Sequence, residues 1–171
     1  MRLFLALLTS FMLQSCSSLE LRPVKVIKLF DGDSFLVEDY PCNNCQKFQV
    51  RLLGIDAPES KQAPWGNLAQ KKLDSLIAED RVIFLEYDFD KRDKYKRDLA
   101  YAFSDKSKEL LINEALIKSG HAELFAFAKD LRYLDRLKQA EIEARKAKIG
   151  IWSEKGGLKT SPYKFRKQNK A

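Results

Sequence analysis

Arg51-Leu52-Leu53-Gly54-Ile55-Asp56-Ala57-Pro58-Glu59 places one guanidinium and two carboxylates on a stretch that begins apolar and ends in a turn. Val50, Leu52 and Leu53 around Arg51 ask for burial. Asp56 and Glu59 face each other across Pro58, which fixes its own φ and restricts the residue before it. A stiff turn holding a cation and two anions suits a reaction centre. It equally suits a surface salt bridge at a strand end, and the stretch alone does not choose.

Two further polar islands join it, Asp31/Asp33 and Asp93-Lys94-Tyr95-Lys96-Arg97, each at the end of a strand-like run. Together they have the parts for hydrolysing a phosphodiester. That reaction needs a cation near the phosphate oxygens, donors aimed at them, and a base to position water. Asp33 and Asp56 could hold a metal, with the Ala57 carbonyl as a third ligand. An all-oxygen donor set favours a hard ion, Ca²⁺ over Zn²⁺. Glu59 could orient or deprotonate the water, and Arg51 and Arg97 could each grip a phosphate bidentately. The chain has a single histidine, His121, expected to be structural. A multi-histidine zinc site is therefore excluded, and glycine-rich phosphate loops are absent.

The elements that must position these groups follow from periodicity. Strands are expected at 23–30, 34–38, 47–53, 81–87 and 98–103, with Asp31-Gly32-Asp33 as a hairpin turn and 88–97 as a charged one. Ala69, Leu73, Leu76 and Ile77 mark one face of a helix over 68–77. Further helices are expected over 108–119, capped by Gly120, and over 129–148, with Leu131, Leu134, Leu137 and Ile142 on the apolar side. Three strands, a helix, two strands and two helices make an α+β chain built on a five-stranded OB-type barrel with three helices.

The 171 residues suit one domain, and their formal charge of +7 is unevenly spread. Six of those charges lie on Lys155, Lys159, Lys164, Arg166, Lys167 and Lys170, in a stretch without acids, and Arg2 carries another; the block 16–154 is neutral. Residues 154–171 read as a flexible basic tail attractive to polyanions. Residues 1–15 read as an export signal, too short to span a membrane comfortably. Leu13-Gln14-Ser15-Cys16 resembles a bacterial lipobox, which implies lipidation at Cys16 and a membrane-anchored envelope protein, the alternative being a secreted one. In an exported chain Cys42 and Cys45 are expected to be oxidised to a local disulfide.

These motifs, in this order and closed by Gly150-Ile151-Trp152-Ser153, resemble the thermonuclease, or staphylococcal-nuclease-like, family over residues 22–153. The resemblance implies a Ca²⁺-dependent nuclease acting on DNA and RNA, leaving 3′-phosphorylated products. It implies calcium carboxylates at Asp33 and Asp56, a catalytic trio of Arg51, Glu59 and Arg97, and phosphate contacts from Lys94 and Tyr95. It implies a monomer and no protein partner. Lys96 stands where the family commonly has glycine, and a positive φ there would strain it. The tyrosines that the resemblance leads one to expect near Gly120, to stack on a base, are not in register; Phe125 and Phe127 lie close and could substitute, although core packing is the commoner role. The competing reading is a non-catalytic nucleic-acid-binding module on the same fold. Retention of all five charged site residues, which a pure binder does not need, argues for the enzyme.

Overall fold

The computed structural model describes residues 20–42, 45–126 and 130–169; the expected export signal, Cys16 and Phe127 lie outside them. In chain order the elements are β1 (Arg22–Leu29), β2 (Ser34–Asp39), β3 (Lys47–Leu52), β4 (Ile55–Asp56), α1 (Trp65–Leu76), β5 (Val82–Arg92) and β6 (Asp98–Phe103). They continue with α2 (Ile112–Lys118), β7 (Glu123–Leu124), α3 (Leu134–Ala147), a 3₁₀ turn at Gly150–Trp152, and α4 (Pro162–Gln168).

Five strands close the expected barrel, and their order around it is β1-β2-β3-β6-β5. All pairings are antiparallel except β3 with β6, which run parallel with Arg51 opposite Leu99. Alternate residues point inward, so Phe35, Val37, Val50, Leu52, Ile83, Leu85, Ala100 and Ala102 fill the interior, while Tyr101 and Phe103 lie on the opposite face of β6. Tyr133, just ahead of α3, packs edge-on against Tyr101 and Phe103, with centroids 4.7 and 5.8 Å away. Glu86, buried in the barrel wall, is held by Lys108, by Arg132 at 3.1 Å and by the Tyr133 hydroxyl at 3.1 Å. Those contacts fasten the helical layer to the sheet. The amide of Asn113 on α2 does the same, donating to the Leu53 carbonyl at 2.8 Å and accepting from the Ala102 N–H at 3.0 Å.

Gly32 is required by packing. A Cβ there would sit 2.5 Å from Cβ of Ala69 and 2.8 Å from Cβ of Ala57, so only glycine lets the β1–β2 turn press onto α1 and the Asp56 segment. Gly120 follows α2 with φ +68°, the left-handed cap its position predicts.

Three expectations are corrected. The apolar face of α3 is Leu137, Ala140 and Ala144, with Ile142 59% exposed; the helix begins five residues later than expected, and the true stripe includes alanines that a search for large side chains passes over. β5 extends to Arg92, absorbing part of the charged turn as a ribbon that pairs Arg92 with Asp98. The segment read as a flexible basic tail folds back and carries α4. Ser161 caps that helix by accepting from the Lys164 N–H, and Pro162 starts it. Cys42 and Cys45 are joined by a disulfide, with Cα atoms 5.2 Å apart.

Candidate active site

The site is assembled by three register facts. Ser34, the first residue of β2, pairs with Arg51 on β3, which puts Asp33 beside the arginine. The backbone continues the ladder past the strand end, with the Leu52 N–H donating to the Asp33 carbonyl at 2.8 Å. The miniature ladder β4–β7 pairs Asp56 with Glu123 and turns Asp56 back toward the barrel.

The result is a compact charge cluster. The Arg51 guanidinium bridges Asp33, at 2.6 Å, and Asp56, at 2.8 Å. The arginine side chain is 11% exposed, Asp33 6% and Asp56 0%, so this is a buried ion triad and not the surface salt bridge that the sequence also allowed. Asp33 is held by further donors: its Oδ2 also accepts from the Ala57 N–H at 2.6 Å, and its Oδ1 from the Ser34 hydroxyl at 2.9 Å. Ala57 is thereby held at the carboxylate pair. Burial raises Asp56 above the ordinary carboxylate range, an effect that hydrogen bonding to Arg166 and the charge of Arg51 oppose. Burial and the neighbouring Asp33 push Asp31 up to about 7. Burial does the same to Glu123, with Asp56 and Glu141 adding to it, also to about 7.

Glu59 stands at the mouth, 31% exposed, with its backbone N–H donating to Gln62 Oε1 at 3.0 Å. Arg97 reaches the site from the residue just before β6, the strand beside β3. Its Nε and one terminal nitrogen hold Asp93 Oδ2, each at 2.8 Å, leaving the other 3.3 Å from the Ser34 hydroxyl. Arg97 is thus one side chain removed from the Asp33–Arg51–Asp56 triad. Lys96 has φ +64°, so lysine occupies a left-handed backbone site. Asp93 stabilises the turn despite this, accepting from the N–H groups of Tyr95 at 2.8 Å and Arg97 at 3.0 Å. Lys94 and Tyr95 form the exposed tip: the Tyr95 ring is 64% exposed, with Lys94 Nζ 5.1 Å and Arg97 Cζ 5.6 Å from its centroid.

Among the described residues no three His, Cys, Asp or Glu side chains converge closely enough to enclose a metal alone. The donor chemistry nevertheless fits a hard cation: two buried carboxylates converge on a single guanidinium, with the Ala57 backbone beside them and no thiol or imidazole in the cluster.

Residues 49–154 match the family model described as staphylococcal nuclease homologue. The chain belongs to that family. It is 32% identical over 134 residues to the thermonuclease of Staphylococcus hyicus, covering 75% of each chain. It is 34% identical over 140 residues to endonuclease YncB of Bacillus subtilis strain 168, covering 78% of this chain and 63% of that one. It is 35% identical over 144 residues to the SPbeta prophage-derived endonuclease YokF of the same strain, covering 80% of this chain and 46% of that one. The chain thus spans less than two thirds of either Bacillus protein.

In this staphylococcal nuclease homologue the matched span holds Arg51, Asp56, Glu59 and Arg97, but Asp33 precedes it and one further site residue follows it. That residue is Arg166 on α4. Its guanidinium donates to Asp56 Oδ1 at 2.9 Å, Asp56 Oδ2 at 2.8 Å and Glu59 Oε1 at 2.7 Å. Burial pulls its pKa down, but the hydrogen bonds to Asp56 and Glu59 prevail and the net shift is upward. Sequence reasoning missed Arg166 because it reads as one cation in a basic run. Ser161-Pro162, a helix-start pair, is the signal that the run is structured. Phe125 packs against Tyr163 of α4, with centroids 5.7 Å apart.

Proposed function

We propose that this protein is a Ca²⁺-dependent nuclease that hydrolyses phosphodiester bonds of DNA and RNA to 3′-phosphorylated products. The observation that carries the reading is the buried Asp33–Arg51–Asp56 triad, with Glu59 at its mouth, in a chain of the staphylococcal nuclease family. Asp33, Asp56 and the Ala57 carbonyl would hold the Ca²⁺, which supplies positive charge beside the phosphate oxygens. Arg51 and Arg97, both next to Ser34, grip the scissile phosphate, a task for which the planar fork of guanidinium is suited. The terminal nitrogen of Arg97 not bonded to Asp93 is the part free to turn toward substrate. Glu59, partly exposed and outside the triad, orients and deprotonates the attacking water. Lys94 and Tyr95, exposed beside Arg97, contact a terminal phosphate. The chain is exported and anchored through a lipid on Cys16, with nucleic acid as its partner.

The test is cleavage of single- and double-stranded DNA and of RNA by the 16–171 form, with Ca²⁺ and with excess chelator. Chelation should abolish cleavage, and Glu59→Ala should lower kcat by about 10² or more, the scale of a positioned general base. Tight nucleic-acid binding with no turnover in Ca²⁺ would establish the binding module instead.

A further inference from the structure

Resting on the metal assignment just made, we infer that Arg166 is a built-in competitor of the divalent cation, and that α4 is a plug which metal binding must displace.

The argument begins with Asp56. Its carboxylate is fully buried, and both oxygens are already committed. Oδ1 accepts from Arg51 at 2.8 Å and from Arg166 at 2.9 Å, and Oδ2 accepts from Arg166 at 2.8 Å. A fork on both oxygens leaves no room for a cation that needs either one, so Arg166 and metal exclude each other at Asp56. The same guanidinium holds Glu59 at 2.7 Å. It therefore neutralises the general base in the same conformation that blocks the metal carboxylate. A third phosphate-gripping arginine would not need to saturate a metal ligand and the base together.

α4 is docked by contacts separate from the charge cluster. Gln62 Nε2 donates to the Thr160 carbonyl at 2.8 Å and Trp65 Nε1 to the Gly156 carbonyl at 3.1 Å, both from the segment that follows Glu59. The Leu158 N–H donates to the Ile151 carbonyl at 2.9 Å, and Tyr163 packs on Phe125. These bonds hold the plug at high local concentration, and they reach Gln62, Trp65, Phe125 and Ile151, which lie outside the barrel strands, so the segment can leave without disturbing the barrel. Once it leaves, Lys164, Arg166 and Lys167 are released beside a site that binds a polyanion, and nucleic acid favours the open form by holding them.

The experiment measures Ca²⁺ affinity by calorimetry on full-length mature protein, without substrate. If the plugged form is favoured about 10:1, apparent affinity is reduced about tenfold, so Arg166→Gln should bind Ca²⁺ about tenfold or more tightly than wild type. The double variant Trp65→Phe, Ser161→Ala, which weakens docking but keeps Arg166, should shift affinity in the same direction by less. In wild type, Ca²⁺ should accelerate tryptic cleavage at Lys164, Arg166 or Lys167. Equal or weaker Ca²⁺ affinity in Arg166→Gln, or tryptic cleavage indifferent to Ca²⁺, overturns the plug while leaving the metal site intact. Failure of every form to bind Ca²⁺ overturns the metal assignment and the plug with it.

Discussion

Replacing Arg51 by alanine removes the one group that spans Asp33 and Asp56. Both carboxylates are almost wholly buried. Breaking a buried pair by deleting one partner costs about 3–5 kcal/mol, because the survivor keeps its desolvation penalty. Here the survivors retain other donors: Asp33 has the Ala57 N–H and the Ser34 hydroxyl, and Asp56 has Arg166. The loss should therefore fall at the lower end, about 3 kcal/mol. For a chain of this size that is a fall in Tm of roughly 6–12 °C, at about 2–4 °C per kcal/mol. Urea unfolding in chelator isolates the effect from metal binding. Arg51→Lys is the control that keeps the charge. One ammonium cannot form the two-pronged bridge, so that variant should lose roughly half as much. A loss of less than about 1 kcal/mol in Arg51→Ala would show that the triad behaves like an exposed salt bridge and that the argument from burial is wrong.

Two further outcomes follow from backbone and burial. Lys96→Gly relieves a left-handed residue at φ +64° and should stabilise the fold by roughly 0.5–1 kcal/mol, the relief of about 1–2 less the extra freedom glycine gains when unfolded; an unchanged urea midpoint would refute strain at that turn. Glu123, raised to about 7 by burial and by Asp56 and Glu141, keeps its proton in the folded state where the unfolded chain has released it. Its contribution is thus full below the ordinary carboxylate pKa and is lost as pH rises through about 7. The stability of Glu123→Gln relative to wild type should climb across that window, and a difference that stays constant with pH would contradict the assignment.

The local grammar of the chain was readable because short-range chemistry decides it. Asp31-Gly32-Asp33 makes its turn, and Val24 and Val26 before it and Phe35 and Val37 after it alternate into the core, with one register shift between Val26 and Lys28. The triad was foreseeable in membership but not in geometry: the register that sets Ser34 opposite Arg51 and the two-residue ladder β4–β7 bring its parts together, and neither leaves a periodic trace. Ile142 was misplaced because residue size was weighed over helical phase, and Ala140 and Ala144 carry the buried stripe. Arg166 was invisible for a different reason. Charge runs are usually solvated, and the meaning of this one comes from a partner more than a hundred residues earlier in sequence.

The parallel β3–β6 seam also bears on how activity arises during folding. The pairs β1–β2, β2–β3 and β5–β6 join neighbours in the chain and close short loops, whereas β1 meets β5, and β3 meets β6, only after the elements between them have been laid down. Long-range closures bear the larger entropy cost. Arg51 lies on one side of that seam, and Arg97 immediately precedes the strand on the other. A nascent or unfolded chain therefore carries every reactive side chain without a reaction centre. Competence is a property of the closed barrel alone, so a maker of this protein is exposed to its chemistry only where the barrel is allowed to close.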